Sequence, residues 1–393
     1  MKKYKLAVLT SHPIQYQAPL FRKLAAHPKI DLTVYFCWDF GIREEYDPGF
    51  GKKIKWDIPL LEGYKYKFLR NYSPKPNKGF LGHINPSIIK ELWKNRYDAI
   101  LVHGYANFTS WLSFLGAWPS STPIIFRGEA DLSNMGSFLK RISKKAILVP
   151  LFKRISAFLY SYRANAEYYK HYNVPGNKLF FCPCAVDNSY WQTQAINLRN
   201  KKTELKKKFG ISDGYSVILY VAKLIPRKRP MDLLQAYEIV CNRHVKTSLI
   251  FVGDGSEVAN LKTYTLKKNL KNVVFVGFKN QSELPPFYSI ADVFVLPSNH
   301  DPSPKAINEA MNFGIPIITT NKVGTAPDLI KIRENGFIYP VGEVKVLADC
   351  LLKVLKDPKT IEEMGKRSFE IVSRWSLEED VNGILKALEY VTN

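Results

Sequence analysis

Residues 300–316 read HDPSPKAINEAMNFGIP, and they predict a helix enclosed by two loops. Ser303 is a good N-cap, and Pro304 is a good first helical residue. Gly314 is able to end the helix because glycine readily adopts the left-handed conformation. The apolar residues between them recur at helical spacing, at Ile307, Ala310 and Met311. The stretch therefore predicts a short amphipathic helix, Pro304–Phe313, with one buried face.

Short apolar runs flank this helix, and the same alternation of runs and amphipathic stretches extends along the chain. The expected strands are Leu6–Leu9, Leu32–Phe36, Ala99–Val102, Ile124–Phe126, Val217–Val221, Ser248–Val252, Val273–Val276, Val293–Leu296 and Ile315–Thr319. The other expected helices are Gln17–Ala26, Pro86–Lys94, Met231–Val240, Glu257–Lys268, Leu284–Ile290 and Val346–Leu355. This pattern predicts an α/β protein with mainly parallel sheets, and 393 residues suit two domains.

Two carboxylates lie eight positions apart around the predicted helix. Asp301 precedes it and Glu309 lies inside it, about one and a half turns further along. The N-terminal end of a helix carries partial positive charge and free N–H groups, and it therefore attracts anions. The arrangement suits a ligand with a phosphate at one end and hydroxyl groups at the other.

Further motifs occur in order along the chain. They are Cys184-Ala185-Val186-Asp187, Lys223-Leu224-Ile225-Pro226-Arg227-Lys228, Gly253-Asp254-Gly255, Phe275-Val276-Gly277-Phe278 and Gly324-Thr325-Ala326-Pro327-Asp328. With the Asp301–Glu309 pair, which resembles an E-x7-E motif, they resemble the retaining glycosyltransferases of family four (glycosyl transferases group 1). Lys223 stands where that family usually has arginine, Asp301 where it usually has glutamate, and Pro304 where it often has glycine.

The resemblance implies the GT-B fold, in which two Rossmann-like domains face each other across a cleft. We expect an N-terminal acceptor-binding domain over residues 1–195 and a nucleotide-sugar-binding domain over residues 196–376. The lysine-rich segment Asn197–Gly210 is predicted to be the linker and the approach to the second domain. The amphipathic stretch after residue 376 is expected to form a helix, within 377–393, that crosses back to the first domain.

The resemblance also implies roles for residues of the second domain. Glu309 would hold the ribose of a sugar nucleotide, and Asp301 would contact the donor sugar. Lys223 and Lys228 would stabilise the negative charge that grows on the leaving phosphate, which favours the transition state over the ground state. The other residues expected to bind the donor are Gly253, Phe278, Lys305, Gly324, Thr325 and Ala326.

In the first half, three predicted strand ends carry polar residues, and ligands bind at such ends in open α/β sheets. His103 follows one strand, at the position where the family has a histidine near the reacting carbon. His12 and Gln15 follow the first strand, and Glu129 follows another. We expect His103 to act in catalysis and the other three to contact the acceptor, although a lone histidine before glycine is more often structural.

The sequence contains no Asp-x-Asp motif, with which many other glycosyltransferases hold a divalent metal against the diphosphate. Lysine side chains and helix ends are able to carry out that task. We therefore expect a metal-independent enzyme whose only co-substrate is the nucleotide sugar.

Charge is distributed unevenly. Residues 1–195 contain 28 Lys and Arg against 13 Asp and Glu, whereas residues 196–393 contain 29 against 22. The excess in the first half predicts an anionic partner. Residues 138–163 interleave basic and apolar side chains, with no acid, and we expect them to contact an anionic membrane surface. The alternative is a helix pair that covers the domain and exposes a solvated face.

No run of 18 apolar residues occurs, the first apolar run is too short for a signal peptide, and five irregularly spaced cysteines favour free thiols. We therefore expect a cytoplasmic protein at the inner face of the membrane. Its predicted reaction moves a sugar from a UDP- or GDP-sugar to a hydroxyl of a glycan or lipid-linked acceptor, for a surface polysaccharide or glycolipid. Two alternatives remain open, namely a GT-B sugar-nucleotide binder or epimerase, and a basic nucleic-acid-binding protein.

Overall fold

The computed structural model describes residues 3–47, 49–76, 79–243 and 246–393. The chain divides into two compact units. The first comprises Met1–Glu45, Ile58–Cys184 and Leu377–Asn393, and the second comprises Tyr46–Asp57 and Ala185–Ser376. The second unit therefore contains a short segment that the chain order places within the first half.

The first unit is a parallel sheet with helices between its strands. Its elements are β1 (Tyr4–Thr10), α1 (Ala18–Ala26), β2 (Ile30–Phe36), then, after the small sheet of β3 (Glu45–Asp47) and β4 (Lys52–Ile54), β5 (Lys65–Phe68), α2 (Ser87–Asn95), β6 (Ala99–His103), α3 (Phe108–Ala117), β7 (Ile124–Arg127), α4 (Phe138–Lys153), β8 (Ala157–Tyr160), α5 (Arg163–His171) and β9 (Leu179–Phe181). The strand order is β5-β2-β1-β6-β7-β8-β9, and each neighbouring pair is parallel.

The second unit repeats this architecture. After α6 (Asn188–Leu198) and α7 (Lys202–Lys208) come β10 (Ser216–Val221), α8 (Pro230–Asn242), β11 (Thr247–Val252), α9 (Val258–Lys267), β12 (Val273–Gly277), α10 (Pro285–Ile290), β13 (Val293–Leu296), α11 (Lys305–Asn312), β14 (Ile317–Thr320), α12 (Ala326–Leu329), β15 (Gly336–Tyr339), α13 (Val344–Val354) and α14 (Pro358–Val372). Its parallel sheet has the order β12-β11-β10-β13-β14-β15, which is the doubly wound order of Rossmann folds.

The predicted α/β fold with two Rossmann-like domains is confirmed, and the apolar runs are its core strands. Residues 6–9 of β1 and all of β11 and β13 are buried, since helices cover both faces of each sheet. The stripe of Ile307, Ala310 and Met311 is buried beneath α11, as predicted. Gly314 ends that helix with a φ of 65°.

The start of α11 corrects the prediction. The helix begins at Lys305, and Pro304 is the N-cap residue in an extended conformation. Ser303 does not cap the helix, because its hydroxyl accepts a hydrogen bond of 2.9 Å from Lys305 Nζ. The first turn therefore has no side-chain cap.

The predicted linker, Asn197–Gly210, is mostly helical, since it includes the end of α6, a short 3-10 turn and all of α7. Lysine is a good helix former, and Leu205 buries the apolar side of α7. Lys202 and Lys206 both pair with Asp292, at 2.7 and 3.7 Å. The predicted division at residue 195 lies within α6, whereas the structural division falls between Cys184 and Ala185.

The last helix, α15 (Leu377–Thr392), groups with the first unit, where it packs on α1, β8 and β9. Lys29 pairs with Glu389 at 3.0 Å on this contact. The predicted membrane segment, residues 138–163, is a helix only as far as Lys153. Its end is a correction, because β8 is a buried core strand that no membrane could reach. Within the described residues, no helix is both long and apolar enough to cross a membrane.

Candidate active site

The second unit gathers its predicted site residues at the carboxyl end of its sheet. Lys223 follows β10, and Lys228 lies in the 3-10 turn that leads into α8. Asp301 follows β13, the strand next to β10 across the point where the strand order reverses. Ligands of doubly wound sheets bind at such a switch point. Local sequence therefore places these side chains at the edge where a ligand is expected.

Lys228 and Asp301 form an ion pair in which both side chains are mostly buried. The backbone of Asp301 is fixed as well, since Gly324 N donates to its carbonyl oxygen at 2.9 Å. Loops after three strands thus meet at this pair. A mostly buried cation held by one carboxylate is able to interact strongly with a second anion, because little water screens it.

Glu309 lies on α11 and accepts a hydrogen bond of 2.6 Å from Tyr288 Oη. Burial raises the pKa of Glu309 to about 7, although this hydrogen bond and the positive charge of Lys305 both act to lower it. Such a carboxylate is well suited to accept hydrogen bonds from sugar hydroxyls, because few water molecules compete for it. No role was predicted for Tyr288 from the sequence.

The loop of Gly253, Asp254 and Gly255 packs against the chain that leaves β10. Gly253 has a φ of 143°, and a Cβ there would lie 2.0 Å from the carbonyl oxygen of Ala222. Leu224 N also donates to the carbonyl oxygen of Asp254 at 2.9 Å. Glycine is therefore required at 253, because any side chain would separate this loop from the one that carries Lys223.

In the Gly324 loop, some of the backbone N–H groups that were expected to bind the donor form hydrogen bonds within the protein instead. Gly324 N donates to Asp301, and Ala326 N donates to the carbonyl oxygen of Val323 at 3.1 Å. Thr325 is buried, and its Oγ1 has no hydrogen-bond partner among the described residues. Donor binding by this loop stays a prediction. Thr325 Oγ1 is a hydroxyl of the loop that could form a hydrogen bond with the donor.

A feature that sequence reasoning missed is the segment Tyr46–Asp57, hereafter the strap, which belongs to the second unit. Asp47 accepts two hydrogen bonds from Lys223 Nζ, at 2.8 and 3.0 Å. Phe50 places its ring 4.4 Å from the same ammonium group and 4.7 Å from the ring of Phe278. No local signal could have shown this contact, because 176 residues separate Asp47 from Lys223.

The first unit places His12 and His103 at the corresponding switch point, between β1 and β6. Gln17 connects the two strands, since its Oε1 accepts from Thr10 Oγ1 at 3.3 Å and its Nε2 lies 3.2 Å from His103 Nδ1. This amide orientation makes Nδ1 the acceptor, so that the proton of neutral His103 is on Nε2. Nε2 is buried and has no hydrogen-bond partner among the described residues.

Both histidines are neutral near pH 7. Burial and the positive charge of Arg127 lower the pKa of His103 to about 3. Burial and the nearby His83 lower the pKa of His12 to about 4. His12 packs edge-on against Phe40 at 5.3 Å and Trp38 at 6.2 Å. The site therefore offers neutral hydrogen-bonding groups beside aromatic rings.

The two other acceptor candidates of the first unit have different surroundings. Gln15 has a buried Oε1 without a hydrogen-bond partner among the described residues. Glu129 follows β7, and its carboxylate accepts from the Cys184 thiol at 3.1 Å. Sequence reasoning missed Gln17, which is the residue that holds His103 in place.

Known proteins resemble this chain in sequence and in fold. Residues 201–370 match the family model described as Glycosyl transferases group 1. The chain is 30% identical over 182 residues to the N-acetyl-alpha-D-glucosaminyl L-malate synthase of Bacillus anthracis, and the match covers 46% of each protein. It is 28% identical over 304 residues to a UDP-Gal:alpha-D-GlcNAc-diphosphoundecaprenol alpha-1,3-galactosyltransferase of Escherichia coli, which covers 73% of this chain and 76% of the relative. The chain thus spans about half the length of the first of these relatives.

Solved structures resemble the whole chain. Anabaena HepE in complex with UDP and glucose superposes with a TM-score of 0.73 at 18% identity, over 98% of this chain and 99% of that one. The lipopolysaccharide glycosyltransferase WaaG superposes with a TM-score of 0.66 at 15% identity, over 99% and 100%. The chain therefore has the GT-B fold, and residues 201–370 of its second unit are similar to the glycosyl transferases group 1 family.

Proposed function

We propose that the protein is a retaining glycosyltransferase that moves a sugar from a nucleotide sugar to a hydroxyl of a glycan or lipid-linked acceptor. The observation that carries the proposal is the Lys228–Asp301 ion pair at the switch point, together with Glu309 on the helix that follows Asp301, in a region that matches the group 1 family model. It combines a cation for a phosphate with carboxylates for sugar hydroxyls.

The cations explain how the leaving group would be stabilised. When the bond from the sugar to the diphosphate breaks, negative charge grows on the β-phosphate, and fixed ammonium groups there favour the transition state. Lys223 and Lys228 follow the same strand and would share this task. Because lysine supplies the charge, we propose that no metal ion is needed.

The carboxylates would orient the donor. Glu309 would accept hydrogen bonds from the ribose hydroxyls, and Asp301 would contact the transferred sugar while it balances Lys228. In the glycosyltransferase family that the sequence resembles, the acceptor attacks the face of the sugar from which the phosphate leaves, and this phosphate acts as the base. No protein nucleophile is therefore required, and the anomeric configuration would be retained.

The first unit would bind the acceptor. Neutral His103 offers the Nε2 proton to an oxygen atom near the reacting carbon, and His12, Gln15 and Glu129 would contact the acceptor. Among the similar proteins, the galactosyltransferase is named for a UDP-Gal donor and a diphosphoundecaprenol acceptor, and HepE binds UDP. These names support a UDP-sugar as donor and a lipid-linked glycan as acceptor in polysaccharide or glycolipid synthesis.

Helix α4 supports a membrane-associated acceptor. Its side chains from 138 to 147 are at most partly buried, and Phe138 and Leu139 are 71% and 77% exposed. Lys140, Arg141 and Lys145 accompany them. Exposed apolar side chains beside basic ones favour the interface of an anionic membrane. We propose this contact for Phe138–Lys153, with the protein at the cytoplasmic face.

The decisive experiment measures nucleoside diphosphate release from a panel of nucleotide sugars in the presence of EDTA, with Glu309→Ala as the control. Release from one donor that EDTA does not inhibit and that Glu309→Ala abolishes is the expected result. Loss of release on metal removal would contradict metal independence alone. The anomeric configuration of the product, read by proton NMR, tests retention.

Other outcomes favour the alternatives. Nucleotide-sugar binding without release, even with lipid-linked acceptors present, would indicate a binder, and conversion of the donor sugar itself would indicate an epimerase. If Glu309→Ala left all ligand binding unchanged and the protein bound RNA or DNA with a steep salt dependence, the basic first unit would be a nucleic-acid-binding surface.

A further inference from the structure

The strap contacts the rest of the second unit along the edge at which we propose that the donor binds. Asp47 contacts Lys223 after β10, Lys52 contacts Asp254 after β11 at 3.0 Å, and Phe50 contacts Phe278 after β12. These three strands are neighbours in the sheet. The strap therefore crosses the carboxyl ends of three adjacent strands, on one side of the switch point.

The strap is held by polar contacts at its far end as well. Asn280 Nδ2 donates to the carbonyl oxygen of Lys55 at 2.9 Å, and Ser282 N donates to Asp57 Oδ2 at 3.2 Å. Lys52 also lies over the Phe278 ring at 4.9 Å. Ion pairs, an aromatic contact and hydrogen bonds between side chains and backbone thus dock this segment at several points, and Ile54 of the strap is buried as well.

Asp47 presents its carboxylate to Lys223 in the way a phosphate would. The same carboxylate accepts hydrogen bonds from Gly49 N and Phe50 N, at 2.7 and 3.1 Å, so the turn holds it in place. Gly49 permits the close approach, because a Cβ there would lie 2.4 Å from Lys223 Nζ. One ammonium group is thereby enclosed by a carboxylate, a glycine backbone and an aromatic ring.

We propose that the strap is a built-in competitor of the donor diphosphate, with Asp47 occupying Lys223 until a diphosphate displaces it. The inference rests on the proposed function, since it assigns the donor phosphates to Lys223. A ligand that displaces Asp47 must bring its own negative charge to the lysine, because it has to replace the carboxylate as the partner of this cation. Nucleoside diphosphates and pyrophosphate meet this condition, and an uncharged nucleoside does not.

Competition has a thermodynamic consequence. A ligand that binds only the strap-released state has an apparent affinity reduced by the fraction of molecules in that state. Weakening the strap therefore tightens diphosphate binding. A partly exposed ion pair contributes up to about 1 kcal/mol, which corresponds to about fivefold in affinity.

The test measures the affinities of UDP, GDP, pyrophosphate and uridine by isothermal titration calorimetry for wild type and Asp47→Asn. Asparagine removes the charge and keeps a side-chain oxygen for the turn. About fivefold tighter binding of the diphosphates and pyrophosphate, with no change for uridine, is expected. Gly49→Ala changes no charge, displaces the Lys223 ammonium group from the strap, and is expected to act in the same direction. Asp349→Asn, an exposed acid on α13, is the control for net charge and is expected to change nothing.

A double-mutant cycle and hydrogen exchange complete the test. The gain from Asp47→Asn is expected to vanish in a Lys223→Gln background, since no cation is left to compete for. Saturating UDP or GDP is expected to speed amide exchange in the strap. Weaker diphosphate binding by Asp47→Asn, or slower exchange on nucleotide binding, would overturn the inference and make the strap a part of the donor site. If neither wild type nor Asp47→Asn bound any diphosphate, the donor site and this inference would both fall. Unchanged affinity in an active enzyme would overturn this inference alone.

Discussion

The two units build their switch points on the same backbone plan and equip them with different side chains. In each, one of the predicted site residues lies two positions after the leading strand, namely His12 after β1 and Lys223 after β10. The second unit pairs lysines with aspartates there, whereas the first has histidines whose pKa is lowered far below neutrality. We therefore expect the strand order to set the position at which a ligand binds and the side chains to set the charge of that ligand.

The neutral histidines also show that the basic excess of the first unit lies elsewhere than at its switch point. Residues 1–195 carry the larger basic excess of the chain, but the switch point of the first unit is lined by neutral histidines. The exposed turns of α4 hold several of the basic side chains instead. An anionic partner of the first unit is thus expected on its surface, away from the residues proposed to meet the acceptor.

The largest effect is expected when the second switch point loses a cation. Lys228→Ala is expected to lower nucleoside diphosphate release by about 10²–10³-fold, because one fixed charge that stabilises the leaving group is removed. Steady-state kinetics with the preferred donor measure it. Lys262→Ala, an exposed lysine on α9, is the matched control and is expected to retain full activity. Equal losses in both variants would show that net charge, rather than position, matters.

The first switch point is expected to act through a neutral group. His103→Ala is expected to lower transfer to the acceptor by about 10–100-fold, since a buried hydrogen bond near the reacting carbon is lost. Calorimetry is expected to show unchanged binding of the nucleoside diphosphate, which belongs to the other unit. His171→Ala, on the exposed side of α5, is the control. A parallel loss of diphosphate affinity would remove the distinction between the two sites.

The units are expected to differ in their response to pH. Burial raises the pKa of Glu309 to about 7, so the folded protein keeps a proton that the unfolded chain has lost between about pH 4.5 and 7. The contribution of Glu309 to stability therefore falls as the pH rises through this range. Glu309→Gln is expected to gain a few degrees in melting temperature relative to wild type at pH 8 and less at pH 5.

The melting temperatures of both proteins at both pH values check this expectation. Glu363→Gln, an exposed glutamate on α14, is the control and is expected to show no such pH-dependent difference. Burial lowers the pKa of His12 to about 4 and of His103 to about 3, so the unfolded chain binds protons below about pH 6.5 that the folded protein does not. Replacing either histidine is therefore expected to lessen the loss of stability between about pH 6.5 and 5 and to leave the profile above pH 7 unchanged. A pH-independent gain for Glu309→Gln would contradict the raised pKa.

The smallest effect concerns the surface charge of the first unit. Lys145→Ala on α4 is expected to weaken binding to vesicles with anionic lipid by about fivefold, since one basic side chain near such a surface contributes about 1 kcal/mol. Co-sedimentation at physiological salt measures it, and vesicles without anionic lipid are the control. Equal binding to both vesicle types would contradict an electrostatic contact.

Local patterns predicted the parts of the structure that depend on near neighbours. The stripe of α11, the glycine that ends it and the core strands follow from spacing and polarity over a few residues, which short-range backbone physics governs. Even the neighbourhood of Lys223, Lys228 and Asp301 could be expected, since carboxyl ends of parallel strands meet at one edge. The start of α11 was missed because Ser303 bonds to a lysine side chain instead of capping the helix.

Lysine-rich composition misled the prediction for residues 197–210. A polar, charged segment is typical of a linker, but lysine is also a good helix former. Two of these lysines, Lys202 and Lys206, form ion pairs with Asp292. Residues 157–160 were assigned to a surface segment for a similar reason, because basic residues surround them in sequence. In both cases the deciding contacts come from residues distant in sequence.

By itself, the sequence determined the two Rossmann-like domains, the second-unit strands and helices, and the residue types available at each strand end. Only the tertiary structure decided that Asp47 contacts Lys223, that Gln17 holds His103, and that Tyr288 donates a hydrogen bond to Glu309. The physical reason is the separation in sequence between the residues that interact. Helix and strand periodicity are set by neighbours a few residues away, whereas ion pairs, burial and the resulting pKa values depend on which distant segments the packed chain brings together.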